Sequence, residues 1–380
     1  MQSIEPFYVM ALLGRAKELE AEGVDVIHLE VGEPDFPSPA AAIKAGVDAM
    51  ASGLTHYTPA TGLPELKNKI ASFYDQRYGV KLDPYRVVVT PGSSGGLQAV
   101  IALLVNPGEK VLLTDPGYPC NRHFVTLYGG IAKSIAVSAK EQFQFSSEII
   151  RANWDASTRA VLMASPSNPT GTVVSEDALV AIANTVSSLE GILIVDEIYH
   201  GLAYDGSLPT VLQFSDEAFA INSFSKYFGM TGWRIGWIIA PESAVPGLEK
   251  LCQNMFLAPP TVAQYGAMAS LGSESLAELE NRRDEFKLRR DYLEPALTSL
   301  GFVIPAPSQG AFYIYADISA FSQDSYQFCI DLLEKTGVAI TPGIDFGVVN
   351  ASRYVRFAYT TTVPRLQEAV SRIEHFISSL

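Results

Sequence analysis

The 380-residue chain is 48% hydrophobic and 18% charged, which supplies a large core and excludes a disordered chain. Its length points to two or three domains. With 41 acidic against 27 basic residues the net charge is −14, which argues against nucleic acid as a partner but leaves room for a local anion site.

The first segment, MQSIEPFYVMALLGRAKELEAEG, carries acidic residues and lacks the basic start, apolar centre and small-residue cleavage site of a secretory leader. No apolar run approaches the roughly 18 residues of a membrane span. Cys120, Cys252 and Cys329 are odd in number and show no CxxC spacing, and His28, His56, His123, His200 and His375 show no HExxH pattern. Reduced thiols, no metal and a cytoplasmic protein are the expectation.

In chain order, a helix within ALLGRAKELEAEG and a strand VIHLEV come first, with no partner nearby. Between Ala40 and Leu271, short apolar runs alternate with helical stretches such as GLQAVIALL and SEDALVAIANTVSSL. The runs are RVVVT (86–90), KVLLTD (110–115), AVLMASP (160–166), GILIVDEIY (191–199), FAINSF (219–224) and WIIAP (237–241). Alternation of this kind predicts an α/β fold, a mainly parallel sheet with helices on both faces, and strands buried on both faces are apolar throughout. After Gly272 comes one long charged helix, SESLAELENRRDEFKLRRDYLEPALTSL. Strand-like FVIPAP, AFYIYADI and YVRFAYT then alternate with the helices YQFCIDLLEKTG and VPRLQEAVSRIEHFISSL. The reading is a large domain over 40–275 and a smaller α+β domain formed by 1–39 together with 276–380, with a cleft between them.

Open α/β sheets bind ligands outside the carboxyl ends of their strands. Five predicted strands lead there into polar motifs: PGSSGG (91–96), PGY (116–118), SNPTG (167–171), DEIY (196–199) and SK (225–226). PGSSGG before a helix has the composition of an anion cradle, although a plain turn or cap explains it equally well. It also matches G-x-S-x-G with Ser94 as a nucleophile, so a serine hydrolase is a rival. That rival needs a supported histidine, and it leaves Lys226 and Arg234 unexplained. Asp196 and Glu197 are neighbours on a strand and face opposite sides, so at most one reaches a central pocket. Lys226 either snorkels to the surface or, near other cations and partly desolvated, becomes a neutral nucleophile. Arg234 suits a phosphate. Arg356, on an apolar strand, suits either a carboxylate or a structural ion pair.

A lysine nucleophile, a phosphate cradle, a phosphate arginine, a buried carboxylate and an aromatic together describe a site for pyridoxal phosphate. Here the chain resembles the fold-type-I, class I/II aminotransferases of the aspartate aminotransferase superfamily. The resemblance spans VGEPDFPSP (31–39), HYTPATGLPEL (56–66), TPGSSGG, SPSNPTG, VDEIYHGL, SFSKYFGMTGWRIG, PSQGAFY (307–313) and YVRFAYT. It implies a seven-stranded, mainly parallel sheet and transfer of an amino group from an L-amino acid to a 2-oxo acid, through a lysine Schiff base and a quinonoid. Lys226 matches the Schiff-base lysine and Asp196 the carboxylate on the pyridine nitrogen. Asn168 and Tyr199 match the partners of the phenolic oxygen, and Tyr118 the stacking aromatic. Ser93, Ser94, Ser223 and Arg234 match the phosphate cup. Arg356, with Gly32 and Asn168 beside it, matches the grip on the substrate carboxylate. Tyr57 matches a tyrosine that reaches the phosphate of the neighbouring subunit, which implies a homodimer. The dicarboxylate-selective branch carries a lysine near the phosphate loop where this chain has Ser93-Ser94, which argues against strict aspartate specificity. The bulky segment Glu5-Pro6-Phe7-Tyr8-Val9-Met10 points to apolar or aromatic donors. A C–S β-lyase would use the same residues, and a ligand-sensing module on this scaffold is the rival outside catalysis.

Overall fold

The structure, a computed structural model, describes residues 7–380, so Glu5 and Pro6 lie outside the described residues. The strands in chain order are β1 (Ile27–His28), β2 (Val87–Thr90), β3 (Lys110–Asp115), β4 (Ile131–Ala136), β5 (Thr158–Ala164) and β6 (Ile192–Asp196). They continue with β7 (Phe219–Ser223), β8 (Gly236–Ile239), β9 (Tyr313–Asp317), β10 (Val338–Ala339), β11 (Thr341–Pro342) and β12 (Tyr354–Ala358). Seven of them form one sheet in the order β2-β8-β7-β6-β5-β3-β4. Pairs among β3 to β7 are parallel, whereas β8 is antiparallel to both β7 and β2. Six strands therefore point the same way, and their carboxyl ends share one edge with the start of β8.

Successive residues of these strands feed two separate cores. Val87, Val89, Val161, Val195 and Trp237 pack into one, and Val88, Ala160, Leu162, Ile194 and Ile238 into the other. Period-two side chains covered by helices on both faces give the unbroken apolar runs seen in the sequence. β4 is the exception. In IAKSIA only Ile135 is buried, because this strand closes an edge of the sheet. Unlike β2 at the opposite edge, which is covered and apolar, this exposed edge keeps polar residues such as Lys133 and carries no apolar run, so the sequence did not single it out.

The second sheet is antiparallel, in the order β11-β12-β9. β1 finds its partner in β10, with Ile27 opposite Val338. The long helix Ser273–Ser299 leads out of the large sheet, and its buried Arg289 grips Asp35 through two bonds of 2.7 and 3.0 Å. FVIPAP forms only a single bridge, Val303 to Asp317, since Pro305 and Pro307 have no N–H to give a ladder. Among the described residues, no helix is long and apolar enough to cross a membrane.

Candidate active site

The shared sheet edge opens into a cavity of about 250 Å³. β2 ends at Thr90, and two residues on Gly92, with φ +70°, turns the chain into the helix Gly92–Leu104. Ser93 and Ser94 occupy the first turn and border the cavity. The N–H groups of a first turn have no intrahelical partner, and the helix dipole favours an anion there. A Cβ on Gly92 would lie 2.6 Å from Arg234 Nη2, and one on Gly236 would lie 2.8 Å from the Ser93 nitrogen. Only glycine allows the backbone and the guanidinium to converge this closely. Arg234 is itself left-handed, with φ +53°, and its Nη1 donates to the Thr231 carbonyl at 2.9 Å.

Asp196 ends β6 and is 6% exposed. Burial pushes its carboxyl up from the usual 3.8 to about 7, against the opposing pull of the Ile198 N–H, 3.2 Å away, and of Lys226. Glu197 points to the other side of the strand, as the alternation requires. It accepts from Thr210 Oγ1 and from the Val211 N–H, both at 2.9 Å, and so pins the following loop. Lys226 Nζ is half-buried in the cavity wall and donates to the Gly32 carbonyl at 2.7 Å. Burial lowers its amine from 10.5 to about 8; Arg356 and Arg234 pull the same way, and Glu33 and Asp196 oppose them.

Arg356 projects from β12 and is 4% exposed. Its Nη1 donates to Asn168 Oδ1 at 2.8 Å, and its Nη2 to the Glu30 carbonyl and to Thr341 Oγ1. The guanidinium lies over the rings of Tyr313 and Phe346, 4.4 and 4.8 Å from their centres. Its buried Nε has no hydrogen-bond partner among the described residues, and the charge of Asp345 acts on it from a distance. A buried cation that lines a cavity and has a donor to spare suits an anion. Tyr199 and Tyr313 share a bond between their hydroxyls at 2.9 Å. Tyr118 stands at the start of the helix Pro119–Leu127 and borders the same space.

Of the site residues expected from the sequence, all but two border this cavity. Ser223 is fully buried behind the wall, where its Oγ lies 2.9 Å from Ser225 Oγ and 3.0 Å from the Ile235 carbonyl, which can accept its one proton. Ser225 takes the place on the cavity surface that the sequence reading gave to Ser223. Tyr57 is 81% exposed and stands away from its own chain's cavity. Tyr313 and Thr231 border the site and were not singled out. Tyr313 carried a signal, as the last residue of PSQGAFY. Its hydroxyl would meet a Gly32 Cβ at 1.9 Å, so Gly32 is needed for that close approach. No histidine among the described residues borders the cavity, which removes the hydrolase reading of Ser94.

The family model for aminotransferases of class I and II matches residues 24–373. The chain belongs to that family. It is 36% identical to a valine–pyruvate aminotransferase of Mycobacterium tuberculosis, over 99% of this chain and 97% of the other. A crystal structure of an aminotransferase from Mycobacterium tuberculosis superposes with a TM-score of 0.96 at 36% identity, covering 100% of this chain and 98% of that one. The aspartate aminotransferase from Thermus thermophilus with maleate superposes at 0.93 with 32% identity, over 98% and 97% of the two chains. The fold of this class I/II aminotransferase is therefore the fold-type-I α/β architecture, and its cavity lies at the strand ends where such sheets hold ligands.

Proposed function

We propose that the chain is a pyridoxal-phosphate-dependent enzyme that moves the amino group of an L-amino acid, preferentially apolar or aromatic, to a 2-oxo acid. The observation that carries this reading is the meeting of Lys226, Asp196 and Arg356 on one cavity. The residues fit the cofactor. The Gly92 turn, where a Cβ would fill the space beside Arg234, suits a phosphate held by Ser93, Ser94 and Arg234. Asp196 suits a protonated pyridine nitrogen, Asn168 and Tyr199 a phenolic oxygen, and Tyr118 the face of a ring.

When bound, pyridoxal phosphate supplies an electron sink for the pair released at the substrate Cα. The protein supplies the rest. Lys226, lowered to about 8, offers a neutral amine near physiological pH, first to hold the aldehyde and then to take the proton from Cα. Asp196, whose buried carboxyl lacks a full charge partner, would hold a protonated ring nitrogen opposite it and be ionised by that contact. Arg356 binds the substrate carboxylate with a fixed planar fork and so orients the Cα–H bond. Phe7, Val9, Met10 and Leu97 line the remaining wall and suit an apolar side chain. The name of the valine–pyruvate relative supports the same preference.

The active enzyme in this reading is a homodimer. The helix Ala40–Ala51 exposes Ile43, Val47 and Met50 on one stripe, and Leu54 and Tyr57 just after it are exposed as well. Such a patch is what a self-complementary interface buries. Tyr57 then serves the cofactor phosphate of the partner subunit. The chain divides into a large domain over 40–275 and a small one from 1–39 with 276–380, and three free thiols suit a cytoplasmic setting.

The test is a half-reaction. Cofactor-loaded protein is mixed with single amino acids and no acceptor, and the visible band and the product are followed. Conversion of the cofactor to its amino form with a matching 2-oxo acid is expected. An unchanged band with pyruvate and ammonia accumulating would identify a β-lyase and refute the reading.

A further inference from the structure

We propose that Asp345 is a positioning residue for substrate selection, because its carboxylate clasps the start of the first helix and thereby fixes the apolar wall of the cavity. The proposal rests on the functional reading above. The helix Tyr8–Ala21 begins without a side-chain cap from Phe7. Its first amides are taken instead from the far end of the chain: the Tyr8 N–H donates to Asp345 Oδ1 and the Val9 N–H to Oδ2, both at 2.8 Å. A helix start leaves four N–H groups unpaired, and a carboxylate there is favoured by both hydrogen bonding and the dipole. Asp345 is 2% exposed, so its carboxylate is turned to these amides, with the charges of Arg356 and Arg122 acting on it as well, rather than to water.

The residues held in this way are Phe7, Val9 and Met10, which stand at the cavity. Tyr8, between them, also meets Tyr326 edge-on at 5.2 Å, and further along the helix Arg15 is bonded to Glu334. The residue after Asp345 belongs to the site on its other side. The Phe346 ring lies on the Arg356 guanidinium, and its carbonyl accepts the Gly117 N–H at 2.8 Å, one residue before Tyr118. A single turn, Gly343–Asp345 with Phe346 behind it, thus sets the distance between the carboxylate-binding arginine and the wall. A donor anchored by its carboxylate at Arg356 has its side chain measured against that wall.

The experiment compares cofactor-loaded wild type, Asp345→Ala and Asp345→Asn by hydrogen exchange of the segment 7–12 and by half-reaction kinetics with alanine, leucine and phenylalanine. In Asp345→Ala we expect exchange of the Tyr8 and Val9 amides to quicken at least about tenfold. KM for leucine and phenylalanine should rise about tenfold while the alanine constants move less than about twofold. Asp345→Asn, which keeps one acceptor oxygen, should fall between, and it is the variant read if Asp345→Ala exchanges fast throughout the chain. Phe7→Ala should change the leucine-to-alanine ratio with amide exchange unaltered. Unchanged exchange in the Asp345 variants overturns the clasp, and faster exchange with an unchanged ratio overturns its role in selection. A wild type that transaminates none of the three donors instead sinks the functional reading, and the selection role with it, while the exchange result still reports on the clasp.

Discussion

Replacing Asp196 with asparagine should stabilise the cofactor-free chain while destroying its activity, and both effects have one origin. Burial lifts this carboxyl from 3.8 to about 7. Between those values the native state keeps a proton that the unfolded chain has released, so stability falls as pH rises through the window. At about 1.4 kcal/mol per pH unit, the wild type loses about 2 kcal/mol on this group by pH 5 and about 4 kcal/mol by pH 8. Asparagine fills the same volume, accepts the same Ile198 N–H and has no charge to desolvate. The difference in unfolding free energy, variant minus wild type, should therefore grow from near zero at pH 4 to about 4 kcal/mol at pH 8. Urea denaturation of cofactor-stripped protein at several pH values measures it. In loaded enzyme the same change should lower the half-reaction rate at least about a hundredfold, as loss of a preorganised electrostatic partner does. A stability difference flat with pH, or one that grows toward acid, would refute the reasoning.

Four further outcomes are expected. Capture of pyridoxal phosphate by the stripped protein should accelerate with pH to a midpoint near 8, the value set for Lys226 by burial. At pH 7.5 such an amine is about one-quarter neutral, against about one-thousandth for an ordinary lysine, and a midpoint near 10.5 would contradict the geometry. Arg356→Gln should raise KM for every donor about a hundredfold with the cofactor band intact, and a loss confined to kcat would deny Arg356 its carboxylate. Gly92→Ala places a methyl 2.6 Å from Arg234 Nη2 on a left-handed backbone, so cofactor affinity measured by dialysis should drop at least about tenfold. Tyr57→Ala and Lys226→Ala, each impaired alone, should regain activity when mixed and allowed to exchange subunits, because one site of the heterodimer is then whole. No recovery in a mixture shown to contain heterodimers would count against the shared site.

The large sheet was legible because six of its seven strands are buried on both faces and announce themselves as apolar runs. KVLLTD coincides with β3 from end to end. β4 was not legible, since it is left exposed at its edge and needs no apolar run, whereas β2 at the opposite edge is covered. FVIPAP looked like a strand by composition, but its prolines withhold the donors that a ladder requires. In the site, residues whose chemistry conflicts with their surroundings stood out: Lys226 closing an apolar strand, Arg356 within one, Asp196 beside Glu197. Ser223 and Ser225 are chemically alike, and which of them faces the cavity follows from the turn after β7, which no residue type records. The Asp345 contact with Tyr8 and Val9 joins opposite ends of the chain, and local pattern has no means of expressing it.

The pairing of β1 with β10 bears on how the chain is made. Asp25 is held by Arg365 and Arg372, and Ile27 lies opposite Val338, so the segment around β1 must wait until those later residues have been synthesised. The central sheet, which draws on neither, can close while translation continues. The opening helix and strand must meanwhile wait as an unpaired amphipathic pair, and the long loop they finally close makes their docking the slow event. A ribosome paused before β10 would hold a nascent chain with a finished sheet and an unpaired β1 segment, a form suited to chaperone capture.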